Sequence, residues 1–125
     1  MKWTLHCLGY VHLWQGDIVR ARGSFAESLT LRQAQGNRAN IAQSLIGLAG
    51  VAAQSGEPER AARWYSAADS LRAIGDTPQA ALDEDERHTL ALIHAALDPA
   101  TFASASEAGR ALPLDGVTSE ALTGE

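Results

Sequence analysis

Residues 5–35 (LHCLGYVHLWQGDIVRARGSFAESLTLRQAQ) and residues 45–75 (LIGLAGVAAQSGEPERAARWYSAADSLRAIG) are one unit written twice. At an offset of 40 residues they match identically at Leu5/Leu45, Leu8/Leu48, Val11/Val51, Gly16/Gly56, Arg20/Arg60, Ala21/Ala61, Leu31/Leu71 and Arg32/Arg72. Asp17/Glu57 and Phe25/Tyr65 are near matches. A period of this length marks a solenoid, in which each unit buries its apolar face only by stacking on its neighbours.

The chain of 125 residues suits one domain. A domain of this size buries roughly two thirds of the surface its unfolded chain exposes. Alanine and leucine dominate, which favours helix because these residues lose least on entering one. The formal charge of -5 is uneven: residues 1–63 carry +3 and residues 64–125 carry -8. An acidic chain without a basic run counts against direct nucleic-acid binding, which requires neutralised phosphates. Cys7 is the single cysteine, so no internal disulfide can form. Lys2 ahead of an apolar stretch resembles a signal peptide only faintly, since His6, Gly9, His12 and Gln15 interrupt it and no small-residue cleavage site follows. No run approaches the ~20 apolar residues of a membrane span. A soluble, reducing, cytoplasmic setting is expected, without a membrane.

The punctuation predicts antiparallel helical hairpins. A first helix over 3–15 stops at Gly16, and Asp17 caps a second over 18–35 that ends at Gly36. A third helix over about 38–55 stops at Gly56, and Glu57-Pro58 opens a fourth that ends near Gly75. The third pair is degenerate. Thr77-Pro78 or Asp83 starts its first helix, which reaches Leu97, and Asp98-Pro99 starts its second, over about 99–111. The expectation is one all-α domain over residues 1–122, with hairpins at 3–35, 38–75 and 78–111, a short helix at 115–122 and a frayed tail at 123–125.

Helical spacing assigns a core. Leu5, Leu8 and His12, with Val11 at the edge, form the inner face of the first helix. Ile18, Ala21, Phe25 and Leu29 follow in the second, Leu45, Leu48 and Ala52 in the third, and Ala61, Tyr65, Ala68 and Leu71 in the fourth. Gly47 and Gly50, inside the third helix, allow tight helix contact rather than forming a phosphate cradle.

These residues match the tetratricopeptide pattern of large, small and aromatic positions. The first repeat supplies Leu8-Gly9, Gly16, Ala21, Phe25 and Ser28, and the second Leu48-Ala49, Gly56, Ala61, Tyr65 and Ala68. The chain resembles that family, in a long-helix form without the closing proline. The resemblance implies a right-handed superhelix of six to seven helices. It also implies a protein-interaction or sensor role, with no catalytic residue and no cofactor. Residues 45–52 and 56–63, with Glu107-Ala108-Gly109-Arg110-Ala111-Leu112-Pro113-Leu114, also resemble the C-terminal repeat region of large bacterial LuxR-type transcriptional regulators and related signalling ATPases. The chain carries neither a P-loop nor a helix-turn-helix motif.

The first helix has a second apolar stripe: Trp3, Cys7, Tyr10 and Trp14, opposite Leu5, Leu8 and His12. Each large aromatic buries ~150–250 Å², so an exposed stripe of this kind reaches interface size. Three readings stand. The stripe packs on an adjacent upstream repeat; or it lines a concave groove that grips a protein, peptide or small ligand; or it pairs with a second copy as a homodimer. Self-association or association with a neighbour through this helix is expected. Matched to the family's groove, the binding residues are Trp3, His6, Tyr10, Leu13 and Trp14, then Gln43 and Ile46, with Cys7 on the stripe between them. A self-associating structural module is the alternative function.

No chemistry competes. His6 and His12, like His88 and His94, are six apart, on separated helix faces that do not converge on a metal. Asp83-Glu84-Asp85-Glu86 reads as a solvated helix start. Cys7 reads as packing rather than nucleophile. Ser24 and Ser44 lack a nucleophile elbow.

Overall fold

A computed structural model describes residues 2–36, 38–74 and 84–123, with the side chains of 8–36, 40–70, 87–113 and 116–122. Within these residues the chain is seven helices and no strand: α1 (Lys2–Trp14), α2 (Ile18–Gln35), α3 (Arg38–Gln54), α4 (Pro58–Ile74), α5 (Glu84–Ala96), α6 (Pro99–Ala111) and α7 (Leu114–Thr123). The expected stop at Gly75 and the expected start at Thr77-Pro78 or Asp83 lie outside them. None of the described helices is long and apolar enough to cross a membrane.

The repeated punctuation works as expected. Gly16 and Gly56 take φ of 84° and 82°, the left-handed conformation that turns one helix sharply into the next. The Asp17 carboxylate accepts the Arg20 amide at 3.2 Å, capping α2. Connections this short favour antiparallel packing, and α1–α2 and α3–α4 form two hairpins that lie side by side.

The centre of the molecule is α3. Beyond Arg38 its sequence has no charge and is apolar nearly all round, which only a helix with neighbours on every side can sustain. It touches α1, α2, α4, α5 and α7. The expected core residues Ala21, Phe25, Leu29, Leu45, Leu48, Ala52, Ala61, Tyr65 and Ala68 are all buried, and Ile18 packs against them.

Phe25 is the wedge of this packing. Its ring is fully buried and stands between α1 and α3. A Cβ at Gly9 would come within 2.8 Å of it from one side, and a Cβ at Gly47 would overlap it from the other. Two helices can close on one aromatic only where both lack side chains. Gly50 does the same a turn further along α3, admitting Leu13 of α1 and Thr89 of α5.

The expected inner face of α1 is overturned. Leu8 is 41% and Val11 50% exposed, and His12 is half-buried, whereas Tyr10 and Leu13 are buried. Tyr10 meets Phe25 edge-on at 4.9 Å. The repeat suggests that Leu8 and Val11 are covered because Leu48 and Val51 are. Those counterparts, however, lie on the side of α3 that meets α2 at Gly47 and Ser44, and no described helix holds that position beside α1. The Leu5 side chain is outside the described residues.

The third pair also departs from the hairpin pattern. α6 packs chiefly along α4 and meets α5 only slightly, one contact being His94 against Phe102 at 4.3 Å. Gly109 makes this possible: a Cβ there would collide with the Arg63 carbonyl. The chain then folds back through α7, whose Val117, Thr118 and Ala121 are buried. Glu120 accepts hydrogen bonds from Arg63 and, at 3.2 Å, from Trp64 Nε1, fastening α7 to α4.

Candidate functional site

The sequence places a binding surface on α1 and α3, and the structure divides its residues. Tyr10 is 7%, Leu13 0% and Ile46 1% exposed, so these three belong to the core and offer no open surface. Gln43 is half-buried. The side chains of Trp3, His6 and Cys7 lie outside the described residues. Trp14 remains partly open, at 37%.

Trp14 stands at the C-terminal end of α1, stacked on Tyr10 at 6.0 Å. Its other neighbour comes from a distant stretch of the chain. His88 of α5 meets the indole edge-on, with ring centroids 4.3 Å apart. The two helices can meet here because Gly50 of α3, between them, gives Leu13 and Thr89 room. Tyr10 in turn rests on Phe25, so a continuous line of rings runs from the core wedge to an open edge. His88 is itself exposed, as are the sequence neighbours Gln15 and Arg87. A ring held in this way has lost its rotamer freedom before any ligand arrives, which lowers the cost of binding. His88 was not among the sequence-derived site residues. Spacing could not have found it, because α5 belongs to the pair that departs from the repeat.

Gln43 is drawn into a polar seam between α2 and α3. Arg32, only 3% exposed, donates from Nη1 to the Asn40 carbonyl at 2.9 Å, to Ser44 Oγ at 3.2 Å and to Gln43 Oε1 at 3.5 Å. Ser44 Oγ also pairs with Ser28 Oγ at 3.2 Å. The seam fixes the register of one hairpin on the next, because a buried guanidinium must keep its acceptors. Its signal in the sequence was the identity Arg32/Arg72.

Two hollows lie among the described residues. A furrow of about 430 Å³ runs between α4 and α6, lined by Glu59, Arg63, Thr101, Ser104 and small alanines. A smaller one, about 100 Å³, lies among Arg22, Leu48, Val51 and Trp64.

The tetratricopeptide repeat family model matches residues 2–68, more than half of the chain. The match spans α1 and α2, α3 and most of α4, the two hairpins related by the 40-residue repeat, and stops short of the departing third pair. No curated protein and no solved structure matches the chain.

Proposed function

The chain belongs to the tetratricopeptide repeat family, and on that premise we propose that it works by binding a protein or peptide partner, with Trp14 and His88 as the contact platform. The observation that carries this reading is the ring pair itself. It joins α1 to α5 across the central helix, is backed by Tyr10 and Phe25, and keeps an open indole edge. Large rigid aromatics with exposed edges are what peptide-binding surfaces use as anchors. The partner that fits is an extended or helical peptide with an apolar or aromatic residue to lay over Trp14, and the work is done without catalysis. Gln43, at the edge of the buried seam, is a supporting position.

The setting we propose is a cytoplasmic bacterial signalling or transcriptional regulator in which this module senses a partner. The resemblance of residues 45–63 and 102–114 to the repeat region of such regulators supports it.

The test is selection from a random peptide library on the immobilised protein, counter-selected on a Trp14→Ala/His88→Ala variant. The expected result is a consensus peptide whose affinity falls at least ~10-fold on the variant, the loss of one anchor. Peptides that bind both proteins equally would move the site elsewhere, provided the variant's helical circular dichroism is unchanged.

A further inference from the structure

Every large apolar side chain that stands exposed among the described residues is in the first hairpin: Leu8, Val11, Trp14, Val19 and Leu31. Leu8 and Val11, three residues apart, share one side of α1. Their counterparts 40 residues on, Leu48 and Val51, are only 1% and 5% exposed. What stands beside the counterparts is visible. Gly47, next to Leu48, receives the Phe25 ring of α2. Ser44, one turn earlier, bonds Ser28 and Arg32 of α2. Arg22 of α2 borders the hollow that Leu48 and Val51 line. The side of α3 that matches the open side of α1 is therefore the side on which the preceding hairpin's second helix is docked.

We propose that the Leu8–Val11 side of α1 is the docking site for the second helix of one further tetratricopeptide hairpin, placed ahead of α1 as α1–α2 is placed ahead of α3. The proposal continues an interface already present in the molecule. A second copy of the chain fits less well. Its helices of this kind are occupied, α2 by α1 and α3, and α4 by α3 and α6.

The experiment extends the chain by a duplicate of residues 2–40 ahead of Met1, so that the 40-residue register runs unbroken. Leu8→Glu/Val11→Glu is then introduced in the original copy of the extended chain and, separately, in the unextended chain. In the extended chain the pair becomes buried, and the substitution should lower the melting temperature by about 10 °C or more. In the unextended chain, where both side chains are already open, the shift should stay under about 2 °C. Leu31→Glu, on α2 rather than on the proposed docking helix, serves as the control and should shift both chains equally. Three results would overturn the proposal. One is equal sensitivity of the two chains to the double substitution. Another is a duplicate that proteolysis removes as unstructured. The third is an unextended chain that sediments as a dimer and is dispersed by the double substitution, which would make a second copy the occupant.

Discussion

The wedge at Phe25 makes opposite predictions for two glycines in helix interiors. At Gly23 of α2 a Cβ would meet nothing within 4 Å. Gly23→Ala should therefore stabilise, by about 0.5–1 kcal/mol, because alanine enters a helix at lower entropic cost. Gly47→Ala gains the same propensity term and loses more. The new methyl overlaps the Phe25 ring, and the ring cannot retreat, because a Cβ-sized gap to Gly9 on the far side is already absent at 2.8 Å. Relief requires parting α1 from α3 or forcing Phe25 off its rotamer, an overpacking cost of ~1–3 kcal/mol. Since the ring is held on both sides, the upper end applies, and the net effect is a loss of about 2 kcal/mol, or roughly 8 °C in melting temperature for a chain of this size. Urea unfolding followed by circular dichroism measures both variants, and an unchanged m-value would show that the midpoint shift is a stability change. A second substitution isolates the cause. Phe25→Leu vacates the space, so combined with Gly47→Ala it should cost at least ~1 kcal/mol less than the two single effects added. A Gly47→Ala protein as stable as Gly23→Ala, or additivity in the cycle, would show that Phe25 does not join the first hairpin to the second.

Three further outcomes follow from the same geometry. Arg32→Ala removes a buried guanidinium and leaves the Asn40 carbonyl and Ser44 hydroxyl short of a donor, so it should destabilise by ~2–3 kcal/mol in the same urea assay. Glu120→Gln weakens the hold of Arg63 and Trp64 on α7; because these side chains are partly solvated the effect is about 1 kcal/mol, read as faster amide exchange in α7 while α3 is unchanged. At Asp98 the Thr101 backbone amide, donating at 2.7 Å, is the main cause holding the carboxyl below its ordinary value of 3.8. A depressed carboxyl contributes stability above its unfolded pKa and loses it as pH falls through the folded one. The Thr101 amide resonance should thus titrate with a midpoint below 3.8, and a midpoint at or above that value would contradict the cap.

What the sequence discloses and what it withholds divide along a physical line. Helix ends are local events. Gly16, Gly56, Asp17 and Asp98-Pro99 act on their own few residues, and so α2 begins and ends where its caps predict. Phe25 and its counterpart Tyr65 were equally legible, because a small residue followed one turn later by an aromatic states a packing need in itself. Which face of a helix is covered is not local. Leu8 and Leu48 are the same residue in the same repeat position, yet one is open and the other closed, because among the described residues α3 has a hairpin ahead of it and α1 does not. His88 was hidden for a related reason: it reaches Trp14 only after α5 has packed across Gly50.

The same reasoning explains why the repeat fails in its third copy. A hairpin closes when its two helices have more to gain from each other than from the rest of the molecule. In α6 the small residues Ser106 and Gly109 permit a closer approach to the α4 backbone than a larger pair would allow, with Gly109 lying against the Arg63 carbonyl. α4 is the better partner, and α6 lies along it rather than along α5. That choice leaves Arg63 and Trp64 beside the returning chain, and Glu120 of α7 takes up both. α7 is thereby fastened to α4, while Leu8 and Val11 of α1 stay open. The open Leu8–Val11 side of α1 is where the interface between successive hairpins would continue.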